Sequence, residues 1–193
     1  MALDTIELFI DEDNIKDGVE AISLVESPAI EENFVALNKH KVEFKTIDEE
    51  KRIVIGLALV PDKEIYRRNG EHEFNIIFSK DTVKKASELY LKRLKNNNAT
   101  LEHEEEIKGV SVVESWIVED VKKDKSALYG LNAVEGAWVV TMKIDNDDVW
   151  KDVKGGKYLG FSIEGFFSDD LEKNEMSEDD KLIAKIKEIL DNE

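Results

Sequence analysis

The chain has 193 residues and a formal net charge of −17, from 44 Asp and Glu against 27 Lys and Arg, which is length enough for one well-cored domain and too little for two full ones. That acidity argues against a nucleic-acid binder, which needs clustered Lys and Arg to neutralise phosphates, and against docking on an anionic membrane surface. With no cysteine, disulfides, thiolate catalysis and cysteine-based zinc or iron–sulfur sites are excluded together.

The start, Met1-Ala2-Leu3-Asp4, does not read as a signal peptide, and no apolar run approaches the roughly 18 residues of a spanning helix, so a soluble cytosolic chain is expected. Thr5–Ile10 is rich in strand formers and runs into an acidic turn, Asp11–Asn14. A second strand, Val19–Val25, stops at Ser27-Pro28, because proline donates no ladder hydrogen bond. Phe34–Leu37 leads to an alternating strand over Lys41–Ile47, and the continuous apolar run within Arg52–Pro61 reads as a strand covered on both faces. Asp62–Gly70 is expected to be a polar loop and Glu73–Phe78 a short strand. Ser79 is placed to cap a helix over Lys80–Leu94, striped by Val83, Ala86, Leu89, Tyr90 and Leu94. Leu101–Glu106 carries His103, one of only three histidines with His40 and His72. Gly109–Val118, Ala127–Asn132 and Ala137–Ile144 supply further strands. Asp145 is expected to cap a short helix that Gly155-Gly156 ends, and Tyr158–Phe167 is the last strand. Beyond Ser168 the composition turns polar. Ser177–Asp180 resembles a capping box for a terminal helix striped by Leu182, Ile183, Ile186, Ile189 and Leu190, better read as docked on its own domain than as a partner-binding helix. The elements add up to a strand-rich α+β domain.

Apart from carboxylates, reactive chemistry must come from serine or threonine, histidine and lysine. In Gly160-Phe161-Ser162-Ile163-Glu164-Gly165, strand periodicity turns Leu159, Phe161 and Ile163 one way and Gly160, Ser162 and Glu164 the other. A side-chain-free Gly160 leaves room for a substrate backbone beside Ser162. The segment is not the Gly-x-Ser-x-Gly elbow of α/β-hydrolases, since Glu164 stands at the second glycine and no helix follows. From spacing alone, a surface serine beside a packing glycine is the better reading. His103 has the residue type for a general base near neutral pH. A His-Glu-x-x-His metal motif fails at Ile107, and taken by itself His103 reads as an ordinary exposed histidine. His40 and His72 receive no role.

Several segments together resemble the prohead, or capsid-maturation, serine proteases of tailed bacteriophages, in particular the XkdF-type phage proteases. They are Val19-Glu20-Ala21-Ile22-Ser23-Leu24-Val25-Glu26-Ser27-Pro28-Ala29-Ile30, Leu59-Val60-Pro61-Asp62-Lys63-Glu64-Ile65-Tyr66-Arg67, His103, Val113-Glu114-Ser115-Trp116-Ile117-Val118 and the Gly160–Gly165 segment. The match spans about residues 15 to 170. It implies a fold like that of the herpesvirus assembly protease, a β-barrel core with surrounding helices, with Ser162 as nucleophile and His103 as general base. The protease-like domain is then 1–170, and 171–193 forms an acidic linker and C-terminal amphipathic helix.

In the commoner prohead proteases a strand reading approximately Val-Ser-Leu-Val-x-x-Pro-Ala follows the serine, and an acid at its start orients the histidine. Here the similar strand, Ile22–Ala29, precedes both, which implies a circularly permuted barrel; triads are defined by geometry and role, so chain order is no obstacle. Glu20 is the preferred orienting acid, although the family position maps to Ala21, and a one-residue slip turns a strand side chain to the opposite face. Glu26, Glu114 and Asp169 are the alternatives, and a Ser–His dyad is a further one.

The resemblance implies a serine endopeptidase of phage head assembly that cleaves scaffold and major capsid proteins and then itself through an acyl-enzyme, in the cytoplasm of the infected bacterial host and inside assembling proheads. It allows a homodimer or a head-bound form. No cofactor and no metal is expected, and neither nucleic acid nor membrane is a partner. The competing reading is a catalytically inactive protease-fold module that scaffolds through its acidic surface and terminal helix; an unrelated stand-alone hydrolase is a third.

Overall fold

The computed structural model describes residues 3–11, 13–26, 35–36, 51–70 and 72–169. The expected strand over 41–47, the stop at Ser27-Pro28 and the linker and terminal helix of 171–193 lie outside them.

Among the described residues the strands form three four-stranded sheets. In the first, β4 (Ile53–Leu59) is paired on one side with β3 (Val35–Ala36) and on the other with β10 (Trp138–Ile144), which in turn pairs with β9 (Val110–Ile117). Every β4 residue after Ile53 is buried, as its unbroken apolar run requires of a strand covered on both faces.

The second sheet runs in the order β12 (Ser168–Asp169), β1 (Asp4–Phe9), β6 (His72–Phe78) and β5 (Ile65–Asn69). Strand β5 replaces the loop expected over Asp62–Gly70. As an edge strand it buries Ile65 while Tyr66, Arg67 and Arg68 stay exposed, so it shows no apolar alternation to read. β5 pairs antiparallel with β6, and Gly70, just past its end, takes a left-handed φ of 61°.

The third sheet is ordered β11 (Gly160–Phe166), β2 (Gly18–Val25), β7 (Ala99–Leu101) and β8 (Glu105–Ile107). β2 runs antiparallel to β11 and parallel to β7. All three sheets keep two end strands, whereas a barrel requires each strand to be paired on both sides. The described residues therefore form a mixed α+β arrangement of open sheets, and the expected barrel-like core is corrected to that.

Helix α1 (Lys80–Lys92) begins where expected, with the Ser79 hydroxyl accepting from the Thr82 N–H, and buries Val83, Ala86 and Tyr90. α2 (Lys125–Leu128) stands where a strand over Ala127–Asn132 was expected; the Asp124 carboxylate accepts from the Ser126 N–H and starts a helical turn. α3 (Asp147–Lys154) is capped by Asn146 rather than Asp145, its side-chain oxygen taking the N–H groups of Asp148 and Val149. Asp145 instead donates its N–H to the Gly109 carbonyl.

One apolar core joins the sheets and helices, with Trp138, Trp150, Tyr90 and Phe161 as its largest fully buried side chains. Tyr90 meets Trp138 edge to face at 5.4 Å between ring centroids, and Phe78 meets Phe167 at 4.9 Å, geometries that suit the aromatic quadrupole. Phe161, Ile22 and Leu24 point into this core from β11 and β2. Residues of the opposite parity on those strands therefore face the other way, and that face carries the polar cluster below.

Candidate active site

Ser162 and Ser23 are Cα partners across β11 and β2, and Ser23 and Thr100 are partners across β2 and β7. Registered side chains share a face, so Ser162, Ser23 and Thr100 form a polar row across three strands, with Glu164 two residues along β11 from Ser162. Glu164 is the Cα partner of Ala21.

The register then shifts, with Gly165 opposite Val19, so that β2 holds one extra residue, Glu20, at a bulge. The bulge turns Val19 into the core at 1% exposure. It also explains Gly165. A Cβ there would sit 2.2 Å from the Gly18 carbonyl oxygen and 2.9 Å from Val19 Cα, which leaves no space for any side chain.

His103 sits in the turn between β7 and β8. The Glu104 N–H donates to the Leu101 carbonyl at 3.0 Å, and the two central residues, Glu102 and His103, both have left-handed φ angles, 50° and 62°. Two consecutive left-handed residues fit the type I′ hairpin turn, where Asn-Gly is usual. For ordinary L-residues the left-handed region costs roughly 1–2 kcal/mol each, so surrounding contacts must hold this turn. Three bonds from the β2 end do so: Glu102 N–H to the Leu24 carbonyl at 3.1 Å, Glu26 N–H to Glu102 Oε1 at 2.6 Å, and His103 N–H to Ser23 Oγ at 3.1 Å.

The turn delivers the His103 ring to β11, with Nδ1 3.2 Å from Glu164 Oε1. The Thr100 hydroxyl donates to that same carboxylate oxygen. A carboxylate only accepts, so Glu164 is placed to take a proton carried on Nδ1, which would leave Nε2 free to act as a base. Both groups are partly open, with His103 40% and Glu164 29% exposed in their side chains. Ser162 is half-buried. Among the described residues its hydroxyl has no hydrogen-bond partner, His103 included.

The preferred acid, Glu20, and the three alternatives have other places. Glu20 pairs with Lys95, and Glu114, on β9, pairs with Lys125 of α2, where the lysine ammonium holds its carboxyl below the usual range. Asp169 lies in β12 opposite Leu8, and Glu26 is exposed just past β2. The carboxylate that meets His103 is Glu164. Its shared strand face with Ser162 was legible as a two-residue spacing; its contact with His103 depends on the register between strands distant in sequence. Ser23 and Thr100 gave no separate signal of their own. His72 lies in β6, in a different sheet, and His40 is outside the described residues.

Beside β11 is a cleft of about 220 Å³ whose lining includes Leu59, Ile65, Ile76, Phe78, Ile163 and Ser162, with Arg67 as its charged member. Among the described strands β11 pairs with β2 alone. Among the described residues no group of His, Asp and Glu could hold a metal ion, and no helix is long and apolar enough to cross a membrane.

A family model described as "Putative phage serine protease XkdF" matches residues 41–172, more than half of the chain. That stretch contains His103, Ser162 and Glu164 and leaves out β1 and β2. The search of curated proteins and the search of solved structures each found no match.

Proposed function

Because the chain belongs to the family of phage serine proteases typified by XkdF, we propose that it is a serine endopeptidase in which Ser162 is the nucleophile, His103 the general base and Glu164 the orienting acid. The observation that carries this reading is the 3.2 Å contact of His103 Nδ1 with Glu164 Oε1, made over the strand face that presents Ser162. In the proposed cycle His103 Nε2 takes the Ser162 hydroxyl proton as Oγ attacks the scissile carbonyl. The proton passes to the leaving amine, the peptide bond breaks, and a water activated by the same nitrogen hydrolyses the acyl-enzyme. Glu164 accepts the Nδ1–H throughout and stabilises the imidazolium. The unbonded Ser162 hydroxyl is compatible with this cycle, since catalytic hydrogen bonds in ligand-free proteases tighten in the substrate complex.

The substrate is read as an extended peptide of scaffold or major capsid protein, cut inside an assembling prohead in the infected host, with self-cleavage following and a homodimer or head-bound enzyme as the working form. The apolar cleft beside β11 supports a peptide substrate by offering a binding wall next to Ser162. Strand β2 is read as the element that follows the serine in the commoner prohead proteases, which makes the fold a permuted, open relative of the herpesvirus assembly protease. The pairing of Ser23 with Ser162 supports that equivalence.

The test compares wild type with Ser162→Ala by intact mass after incubation with a scaffold-protein fragment and with a serine-reactive phosphonate. Cleavage and a single adduct in wild type, both missing from Ser162→Ala, are expected. A wild type that cleaves nothing and takes no adduct leaves the inactive scaffolding module as the function.

A further inference from the structure

Ser23 is a fully buried hydroxyl, at 0% exposure, on the central strand of the site sheet. Its hydroxyl does two things at once. It accepts the backbone N–H of His103 at 3.1 Å, and it donates to the Thr100 carbonyl at 3.3 Å. Thr100 in turn donates from its own hydroxyl to Glu164. A single side chain thus ties the backbone of the base to the strand whose threonine fixes the acid, and it does so directly across from the nucleophile, its Cα partner Ser162.

We infer that Ser23 is a positioning residue of the proposed protease, holding His103 over Glu164 and Ser162 without touching the substrate. The inference rests on the catalytic reading above. The physical need is specific. His103 occupies a left-handed conformation at φ 62° that a β-carbon disfavours, so its backbone leaves that conformation unless something accepts its N–H there. Of the three bonds that hold the turn, the one to Ser23 is made by His103 itself, while the other two act on Glu102. A small hydroxyl suits the position. It both donates and accepts, it fits at zero exposure between two strands, and an alanine there would leave the His103 N–H without its acceptor.

A merely structural serine and a positioning serine differ in what their loss changes. Loss of a positioning serine releases the imidazole from Glu164, so the Nδ1–H tautomer gives way to a mixture and turnover falls while substrate binding in the cleft is retained. A misplacement of about 1 Å in such a group costs on the order of 100-fold in rate.

The experiment has two readouts on the full chain. The first is the ¹⁵N spectrum of the His103 ring at alkaline pH, readily assigned among three histidines, in wild type, Ser23→Ala and Ser23→Thr. The second is the kcat and KM of the same proteins on a scaffold-derived peptide. The expected result is a protonated Nδ1 and bare Nε2 in wild type, averaged nitrogens in Ser23→Ala with kcat down roughly 10- to 100-fold at unchanged KM, and restoration of both by the threonine hydroxyl. A folded Ser23→Ala with the wild-type tautomer and wild-type kcat overturns the inference. If Ser23→Ala does not fold, the threonine variant decides: the wild-type tautomer supports the inference, and a folded threonine protein lacking it overturns it. A wild type inert on every peptide, whose His103 tautomer still depends on Ser23, removes the protease reading and leaves the positioning role in place.

Discussion

At the scale of single residues, the site turns on which carboxylate reaches His103. Reading the strand Val19–Val25 against the phage proteases directs attention to Glu20, because the acid there stands at the head of the strand. The family position maps to Ala21, which lies within β2, and Glu164 stands directly across from it on β11, so the carboxylate reaches the same face from the neighbouring strand. Glu20 is engaged by Lys95. Two outcomes follow. Glu164→Gln, which can no longer fix the Nδ1–H tautomer as a pure acceptor, lowers peptide turnover on the order of 10,000-fold, by analogy with the loss of the triad acid in other serine proteases. Glu20→Gln leaves kcat/KM within about threefold of wild type, and an inactive Glu20→Gln beside an active Glu164→Gln reverses the assignment. Ser162 and His103 enter the proposed triad through the likeness to the phage proteases, because strand spacing alone reads them as a surface serine and an exposed histidine. The acid was not legible in the sequence, since 44 carboxylates offer no contrast and only the pairing of β2, β7 and β11 selects one.

At the scale of elements, the serine strand is held in register by its bulge with β2. Gly165 passes so close to Gly18 that an added methyl overlaps backbone, and overpacking of this kind costs about 1–3 kcal/mol or more. Gly165→Ala should therefore lower the midpoint of thermal unfolding by roughly 2 °C or more for a chain of this size, and it should reduce activity beyond the loss of folded protein because the slip moves Glu164 relative to His103. An unchanged melting curve rejects the bulge as a constraint. A separate tie joins β9 to α2, where Lys125 hydrogen-bonds Glu114 and lies 5.2 Å from the Trp116 ring centre. The lysine lowers the Glu114 pKa below its ordinary 4.5. Its contribution is therefore fully present above that ordinary value and is lost as pH falls through the lowered one. Denaturant unfolding of wild type and Lys125→Met should differ near pH 6 and converge as acidification takes the Glu114 carboxyl through its lowered pKa; a gap that widens on acidification contradicts the pairing. Apolar runs made β4, β9 and β10 legible in sequence. β5 and α2 were not, because a polar edge strand and a helical turn started by one aspartate bury too little to leave a periodic trace.

At the scale of the whole molecule, three open sheets around one core place the site on a sheet face rather than inside a barrel, with the Glu102–Glu106 segment and the cleft beside β11 around it. A closed barrel was the expectation that family likeness implied. Strand patterning reports which residues are buried and is silent on which strand ends are left unpaired, so closure could not be read from it. With a net charge of −17, the chain should bind a comparatively basic scaffold or capsid surface. Raising salt from about 50 mM to about 300 mM, which shortens the screening length well below 10 Å, should weaken that association severalfold; an affinity indifferent to salt counts against it.

The central claim is that one hydroxyl in this chain is activated, and that Glu164 activates it through His103. Its most direct measurement is the rate and position of labelling by a serine-reactive phosphonate, read by intact mass and peptide mapping in wild type, Glu164→Gln and Ser162→Ala. The account predicts one adduct on Ser162 in wild type, labelling slowed on the order of 10,000-fold in Glu164→Gln, and none in Ser162→Ala. An adduct on another residue, or labelling of Ser162 at the same rate with and without the Glu164 carboxylate, contradicts it.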